Sequence, residues 1–176
     1  GIAVQIVDGN AKPLPAGQVG LIGFAAPHFA GEYLGNPQAT VRHFKDGWFY
    51  PGDFASMNEE GYIFLKGRVD DVINNSGAKY FPAEVEAVLS THPAVAEVAV
   101  VGGPHPQYGE VSVAYVVPAA AVSPRDLNRF CEGRIAMHKA PQWVFFLAEL
   151  PRVPPGKPDR KALKAMFRRY LEARPQ

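Results

Sequence analysis

The stretch GRVDDVINNSGAKYFPAEVE, residues 67–86, decides how the chain divides. It opens on a charged cluster, Arg68, Asp70 and Asp71, at the end of a strand-like run. Asn74-Asn75-Ser76-Gly77 follows, a polar segment rich in turn formers. It closes on Pro82, Glu84 and Glu86, with Val85, Val88 and Leu89 at helical spacing. A charged strand end, a flexible crossing and a Pro-initiated helix read as a boundary between two units, and a hinge is expected there.

Upstream of this stretch the pattern is β. Ala3–Val7, Val19–Ala25, Trp48–Tyr50, Phe54–Met57 and Tyr62–Lys66 are short apolar runs. Turn signals separate them at Asp8-Gly9-Asn10, Asp46-Gly47 and Asn58–Gly61, and Pro37–Phe44 carries one or two helical turns. Downstream the chain alternates. A helix over Pro82–Ser90 precedes a strand over Val95–Val101, a stiff loop Gly102–Pro106 and a strand Val111–Val117 with one buried face. Ser123 as N-cap and Pro124 at the first helical position start a helix expected to reach Ile135. Val144–Leu147 is a third strand, and Pro151–Pro158 a proline-rich loop carrying Gly156-Lys157. A last helix spans Asp159–Leu171, with Ala162, Leu163, Met166, Phe167, Tyr170 and Leu171 on one face. The element order predicts an α+β fold, sheets with helices packed on them.

Bulk properties narrow the function classes. At 176 residues the chain holds one domain or two small ones. A net charge of +1 provides no electrostatic case for nucleic acid. Cys131 is the only cysteine, so no internal disulfide can form, and the five histidines stand in no metal or triad spacing. No apolar run approaches the roughly 18 residues of a membrane span, and no targeting peptide is visible, so a cytoplasmic location is expected. The chain starts on Gly1 and enters a strand at once, which reads as a piece of something longer.

Three patches could carry chemistry. In Tyr50-Pro51-Gly52-Asp53 a carboxylate follows a Pro-Gly turn at a strand edge and can accept two hydroxyl hydrogen bonds from a vicinal diol; the plain alternative is a turn-stabilising Asp. Arg68 and Lys79 are two cations with Gly77 between them; Arg68 suits a hydroxyl or phosphate, or it forms a surface pair with Asp70 or Asp71. Lys157, on a Pro/Gly loop ahead of a helix, could be swung into a site to stabilise developing negative charge, or could be a solvated loop lysine. The spacing is not that of a nucleotide-binding Gly-x-x-x-x-Gly-Lys-Ser/Thr loop.

Together, in this order, the patches resemble the adenylate-forming superfamily of acyl-CoA synthetases, peptide-synthetase adenylation domains and luciferases. Gly17–Gly20 and Gly31–Thr40 resemble the family segment before its ribose-binding aspartate, and Asp46–Asp53 is similar to its Gly-Trp-x-x-Thr-Gly-Asp motif. Gly67–Asp71, Ser76–Lys79 and Pro82–Glu86 look like its hinge motif, and Pro151–Leu163 like its C-terminal lysine motif. The resemblance implies that Asp53 binds the ribose of ATP and that Arg68 assists at the ribose and phosphates. Asp70 is then the hinge residue, Lys157 bridges carboxylate and α-phosphate, and Gly77 lines the CoA pantetheine tunnel. Lys79 stands where many members carry arginine, and Pro51 where they carry threonine.

On this resemblance residues 1–68 are the last β-rich subdomain of a large adenylation domain and residues 69–176 a small mobile C-terminal domain. The partners implied are a small carboxylic acid, ATP with Mg and CoA, the metal site lying outside these residues; a homo-oligomer is compatible with it. The phosphate loop, adenine platform and acid pocket of the family have no counterpart here, so the chain by itself is expected to be inactive. Two alternatives stand: a carrier-protein phosphopantetheine in place of CoA, disfavoured because no carrier domain follows, and a non-catalytic binding module.

Overall fold

The computed structural model describes residues 1–173, which fall into two compact units that divide between Asp70 and Asp71. The division lies two residues beyond the expected 68/69 boundary.

The first unit is built on a six-stranded antiparallel sheet. Its elements are β1 (Ala3–Val7), β2 (Gly20–Ala25), α1 (Pro37–His43), β3 (Phe44–Lys45), β4 (Trp48–Phe49), β5 (Asp53–Met57) and β6 (Ile63–Arg68). The sheet order is β3-β4-β2-β5-β6, with β1 also on β2. Ile6, Ile22 and Ala55 form its small core, with Val4, Leu14, Phe24 and Met57 packed around them. Asp46 and Gly47, at φ 52° and 79°, join β3 to β4 in the left-handed conformations that two-residue hairpins require. Asn36 caps α1 by accepting from the Ala39 N–H at 3.0 Å, and Pro37 opens the helix.

The second unit has three layers. Its elements are β7 (Ile73–Asn75), β8 (Ala78–Tyr80), α2 (Pro82–Leu89), β9 (Val95–His105), β10 (Gly109–Pro118), α3 (Pro124–Cys131), β11 (Trp143–Phe146), β12 (Arg152–Val153), β13 (Lys157–Pro158) and α4 (Arg160–Glu172). β10 is central: β9 lies antiparallel along one side, while β11, parallel, and β7, antiparallel, lie along the other. Residues alternate across the sheet. Ala114 and Val116, with Val100, face α2 and α3, where Val85, Leu89, Leu127 and Cys131 are buried. Val113 and Tyr115, with Ala99 and Val101, face Leu163 and Phe167 of α4.

Four sequence expectations are corrected by this packing. The β10 strand is buried on both faces from Val111 to Val116, not on one, because helices cover both sides. Gly102–Pro106 is not a loop: β9 continues to His105, in register with Val111 at Gly103. Gly103 lets the Phe167 ring approach the strand, since a Cβ there would stand 2.4 Å from that ring and 2.6 Å from Val113. Asn74–Gly77 is not a flexible crossing but the turn of the β7–β8 hairpin, with Ser76 and Gly77 at φ 50° and 90°. The third helix stops at Cys131, short of Ile135, with Gly133 in the left-handed conformation at φ 72°.

Two buried tyrosine hydroxyls have partners. The Tyr115 hydroxyl donates to the Leu163 carbonyl at 2.9 Å, tying α4 to the sheet. The Tyr80 hydroxyl and buried Ser112 Oγ are 2.9 Å apart. Burial pushes the Tyr115 phenol up to about 12 and raises that of Tyr80 as well. Because the folded chain keeps these protons longer than the unfolded one, their contribution is intact below pH ~10 and lost as pH rises toward about 12. Urea melts between pH 9 and 12 should therefore show falling stability, and Tyr115→Phe should flatten that fall. Gly103→Ala should destabilise the chain by roughly 1–3 kcal/mol through overpacking, whereas Gly9→Ala, with open space around it, should change stability by less than about 0.5 kcal/mol.

Candidate functional site

In the first unit the site is built around the turn Tyr50–Asp53. The Tyr50 N–H donates to the His43 carbonyl and His43 Nδ1–H donates back to the Tyr50 carbonyl, each at 2.7 Å. The Tyr50 hydroxyl accepts from Gln5 Nε2 at 2.8 Å, and its ring lies where a Cβ on Gly23 would be, 2.7 Å away. Gly52, at φ 86°, turns the chain into β5, and its carbonyl accepts from the Val69 N–H at 2.9 Å. Asp53 is thus delivered by a turn held on both sides.

Asp53 and Arg68 are cross-strand neighbours. Continuing the Ala55–Leu65 register would set Gly67 opposite Asp53. A bulge between Phe54 and Ala55 shifts the ladder by one residue and sets Arg68 there instead. Arg68 Nε lies 4.0 Å from Asp53 Oδ1, and its Nη2 donates to the Pro51 carbonyl at 3.3 Å. The Asp53 side chain keeps 31% of its surface exposed and that of Arg68 56%, so both present polar atoms to solvent. A carboxylate acceptor beside a guanidinium donor fork can grip a hydroxylated, anionic molecule.

The sequence alternative that paired Arg68 with Asp70 or Asp71 is corrected. Asp70 accepts from Arg42 Nη2 at 2.7 Å, in an exposed pair worth at most about 1 kcal/mol. Asp71 faces Arg160 at 3.7 Å and Lys164 at 3.8 Å. Two consecutive carboxylates therefore each pair within their own unit.

In the second unit Lys79 is exposed on β8, opposite Asn74, and Gly77 sits in the hairpin turn, where its N–H donates to Asn74 Oδ1 at 3.1 Å. Among the described residues, its chain neighbours aside, no atom lies within 4 Å of a Cβ built on Gly77, so its backbone conformation at φ 90° calls for glycine. The Ser76 N–H binds the Tyr108 carbonyl at 2.8 Å. Beside this turn Asn75, Tyr108, Met137, His138 and Gln142 line an open groove of about 490 Å³, which Asn128 also borders. Asn128 Oδ1 is buried there without a hydrogen-bond partner among the described residues.

Lys157 is exposed, but on a hairpin rather than a flexible loop. It faces Val153 across the β12–β13 pair, and Gly156, at φ 121°, donates its N–H to the Val153 carbonyl at 2.7 Å. Arg152 fastens the hairpin, donating to the Gly156 carbonyl at 2.6 Å and to Glu97. The Asp159 N–H returns to the Pro151 carbonyl at 2.7 Å, and its side chain caps α4 through the Ala162 N–H at 3.0 Å. Among the described residues no carboxylate pairs with Lys157.

Sequence reasoning missed the role of Arg160. Its guanidinium donates to the Val100 carbonyl and to Glu86, whose Oε1 lies 2.9 Å from Nη2. Glu86 in turn accepts from the Val100 N–H at 2.7 Å. Both residues stand inside the motifs above, and the Lys-x-x-Arg spacing of Lys157 and Arg160 was visible, but their meeting depends on Val100 of β9, which both bind. No group of three or more metal-ligating side chains assembles among the described residues. No helix among them is long and apolar enough to cross a membrane.

Residues 84–157 match the AMP-binding enzyme C-terminal domain family. The fatty acid–[acyl-carrier-protein] ligase ScoC of Streptomyces coeruleorubidus is 40% identical over 169 residues, covering 95% of this chain and 33% of that protein. The medium/long-chain-fatty-acid–CoA ligase FadD8 of Mycobacterium tuberculosis is 38% identical, covering 93% of this chain and 30% of that protein. Among solved structures, ATP-bound MatB from Rhodopseudomonas palustris superposes with a TM-score of 0.89 at 31% identity, over 95% of this chain and 34% of that one. The o-succinylbenzoate CoA synthetase MenE of Bacillus subtilis, in complex with its acyl-adenylate intermediate, superposes at 0.85 with 33% identity, over 93% of this chain and 34% of that one. This chain spans about a third of the length of the relatives it matches. The α+β fold agrees with these neighbours, and residues 84–157 belong to the AMP-binding enzyme C-terminal domain family of the adenylate-forming enzymes.

Proposed function

We propose that these residues are the C-terminal part of an ATP-dependent acid–thiol ligase. The observation that carries the reading is the exposed Lys157 ammonium on a fastened hairpin, a cation that pairs with no carboxylate among the described residues. In the reaction a carboxylate oxygen of the acid attacks the α-phosphorus of ATP, and the bond to pyrophosphate breaks. The thiol sulfur then attacks the acyl carbonyl of the adenylate, losing its proton, and AMP leaves.

Each chain residue has a place in this scheme. Lys157 offsets the charge that builds between carboxylate and α-phosphate. Asp53 accepts hydrogen bonds from the ribose hydroxyls, and Arg68, held opposite it, donates to ribose or phosphate oxygens. Lys79 supplies a second phosphate contact. Asp70 is the hinge, next to the division between the units, and its exposed pair with Arg42 is weak enough to break during a turn. Gly77 lets the thiol-bearing arm pass close to the backbone. The groove beside its turn carries carboxamides on Asn75, Asn128 and Gln142 that match the amides of a pantetheine arm.

The thiol is that of CoA in this reading, as in FadD8 and MenE. A carrier-protein thiol is the second reading, supported by the 40% identity to ScoC. Supplying acyl-adenylate with either CoA or a phosphopantetheinylated carrier separates them by which thioester accumulates.

Two outcomes test the scheme. The 176-residue chain alone should show no ATP–pyrophosphate exchange with any carboxylic acid, and robust exchange would overturn its assignment as part of the machinery. In a longer, active polypeptide carrying these residues, Lys157→Ala should slow adenylate formation roughly 10²–10³-fold. Thioester formation from supplied acyl-adenylate should change by less than about threefold, since the phosphate chemistry is then complete. Equal loss in both half-reactions would make Lys157 structural.

A further inference from the structure

Among the described residues β9 pairs with a strand along one edge only, with β10. At Val100, which is fully buried, the backbone N–H and C=O both point to the open edge. Two side chains take the place of a neighbouring strand there. Glu86 of α2 accepts from the N–H, Arg160 of α4 donates to the C=O, and the two hold each other at 2.9 Å. The remaining arm of Arg160 faces Asp71, the first residue of the second unit, at 3.7 Å. One guanidinium thus joins α2, β9, the start of α4 and the residue next to the division between the units.

Little slack separates this junction from Lys157. Pro158 has its φ fixed by its ring, and Asp159 is bound through its own N–H to Pro151 and through its carboxylate to α4. We infer that Arg160 is a positioning residue for Lys157. It sets the direction in which the lysine hairpin leaves the sheet and links that direction to Asp71, while its own donors are spent inside the second unit. Arg152, bound to Glu97 and the Gly156 carbonyl, fastens the other leg to the same strand. The inference rests on the catalytic reading of Lys157 only for its consequence, not for its geometry.

The test is amide hydrogen exchange on the 176-residue chain, with no nucleotide present. The reporters are the Gly156 and Asp159 amides, which close the hairpin, and the amides of Val113–Val116 in β10. Arg160→Met, which keeps the stem and removes the donors, should speed exchange at the two hairpin amides about tenfold or more and leave β10 within about twofold. Arg160→Lys should recover only part, because an ammonium cannot reproduce the fork. Unchanged hairpin exchange overturns the inference. Equal acceleration in β10 overturns it too, since Arg160 would then merely hold the fold. A ligase reading that fails leaves this outcome untouched. In a longer, active polypeptide the same substitution should lower kcat for adenylation with the KM for ATP unchanged; a raised KM at constant kcat would make Arg160 a nucleotide contact and overturn its positioning role.

Discussion

An edge strand with buried backbone groups must find partners for them, and at Val100 those partners are the side chains of Glu86 and Arg160. The start of α4 is fixed by that solution. A third strand would have closed the edge and left no reason for a charged residue at the start of α4. With side chains instead, the helix start, the preceding hairpin and Lys157 are referenced to the sheet through directed, charge-assisted bonds. The packing of Leu163 and Phe167 against β10 and the Tyr115–Leu163 bond hold the rest of α4. The lysine is therefore carried on a hydrogen-bonded hairpin rather than on a free loop.

The first unit reaches a comparable precision by a different device. Its core is small, and three close approaches stiffen it: Gly20 under Val7 and Leu14, Gly23 under the Tyr50 ring, and the paired His43–Tyr50 bonds. The bulge in the β5–β6 ladder then decides which residue faces Asp53. A one-residue slip would replace a guanidinium by a hydrogen atom, so the charge that faces Asp53 depends on a local irregularity in strand pairing.

Between the units the two consecutive carboxylates have divided loyalties. Asp70 is held by an exposed arginine of the first unit, and Asp71 by two cations of the second with less exposure, 21% against 63% at the side chain. Screening weakens the first pair more than the second.

The helix starts were legible in the sequence, because capping is local: Pro82, Ser123-Pro124 and Asp159 each stand within three residues of the groups they organise. The tight hairpin at Asp46-Gly47 was legible for the same reason, as were the ordered positions of Asp53, Arg68, Gly77 and Lys157, which lie on the chain at spacings that motif and resemblance can read. What those positions do to one another was decided only in three dimensions. Gly102-Gly103 looks like punctuation until Phe167, more than sixty residues away, is seen to need the space. Arg68 looks like a partner for its neighbours until a bulge turns it toward Asp53, and Arg160 looks like part of a basic helix until it meets Glu86 at the edge of β9. Sequence carries short-range capping and turn preferences in the residues themselves, whereas strand register, edge closure and close approach are properties of elements that meet from distant parts of the chain.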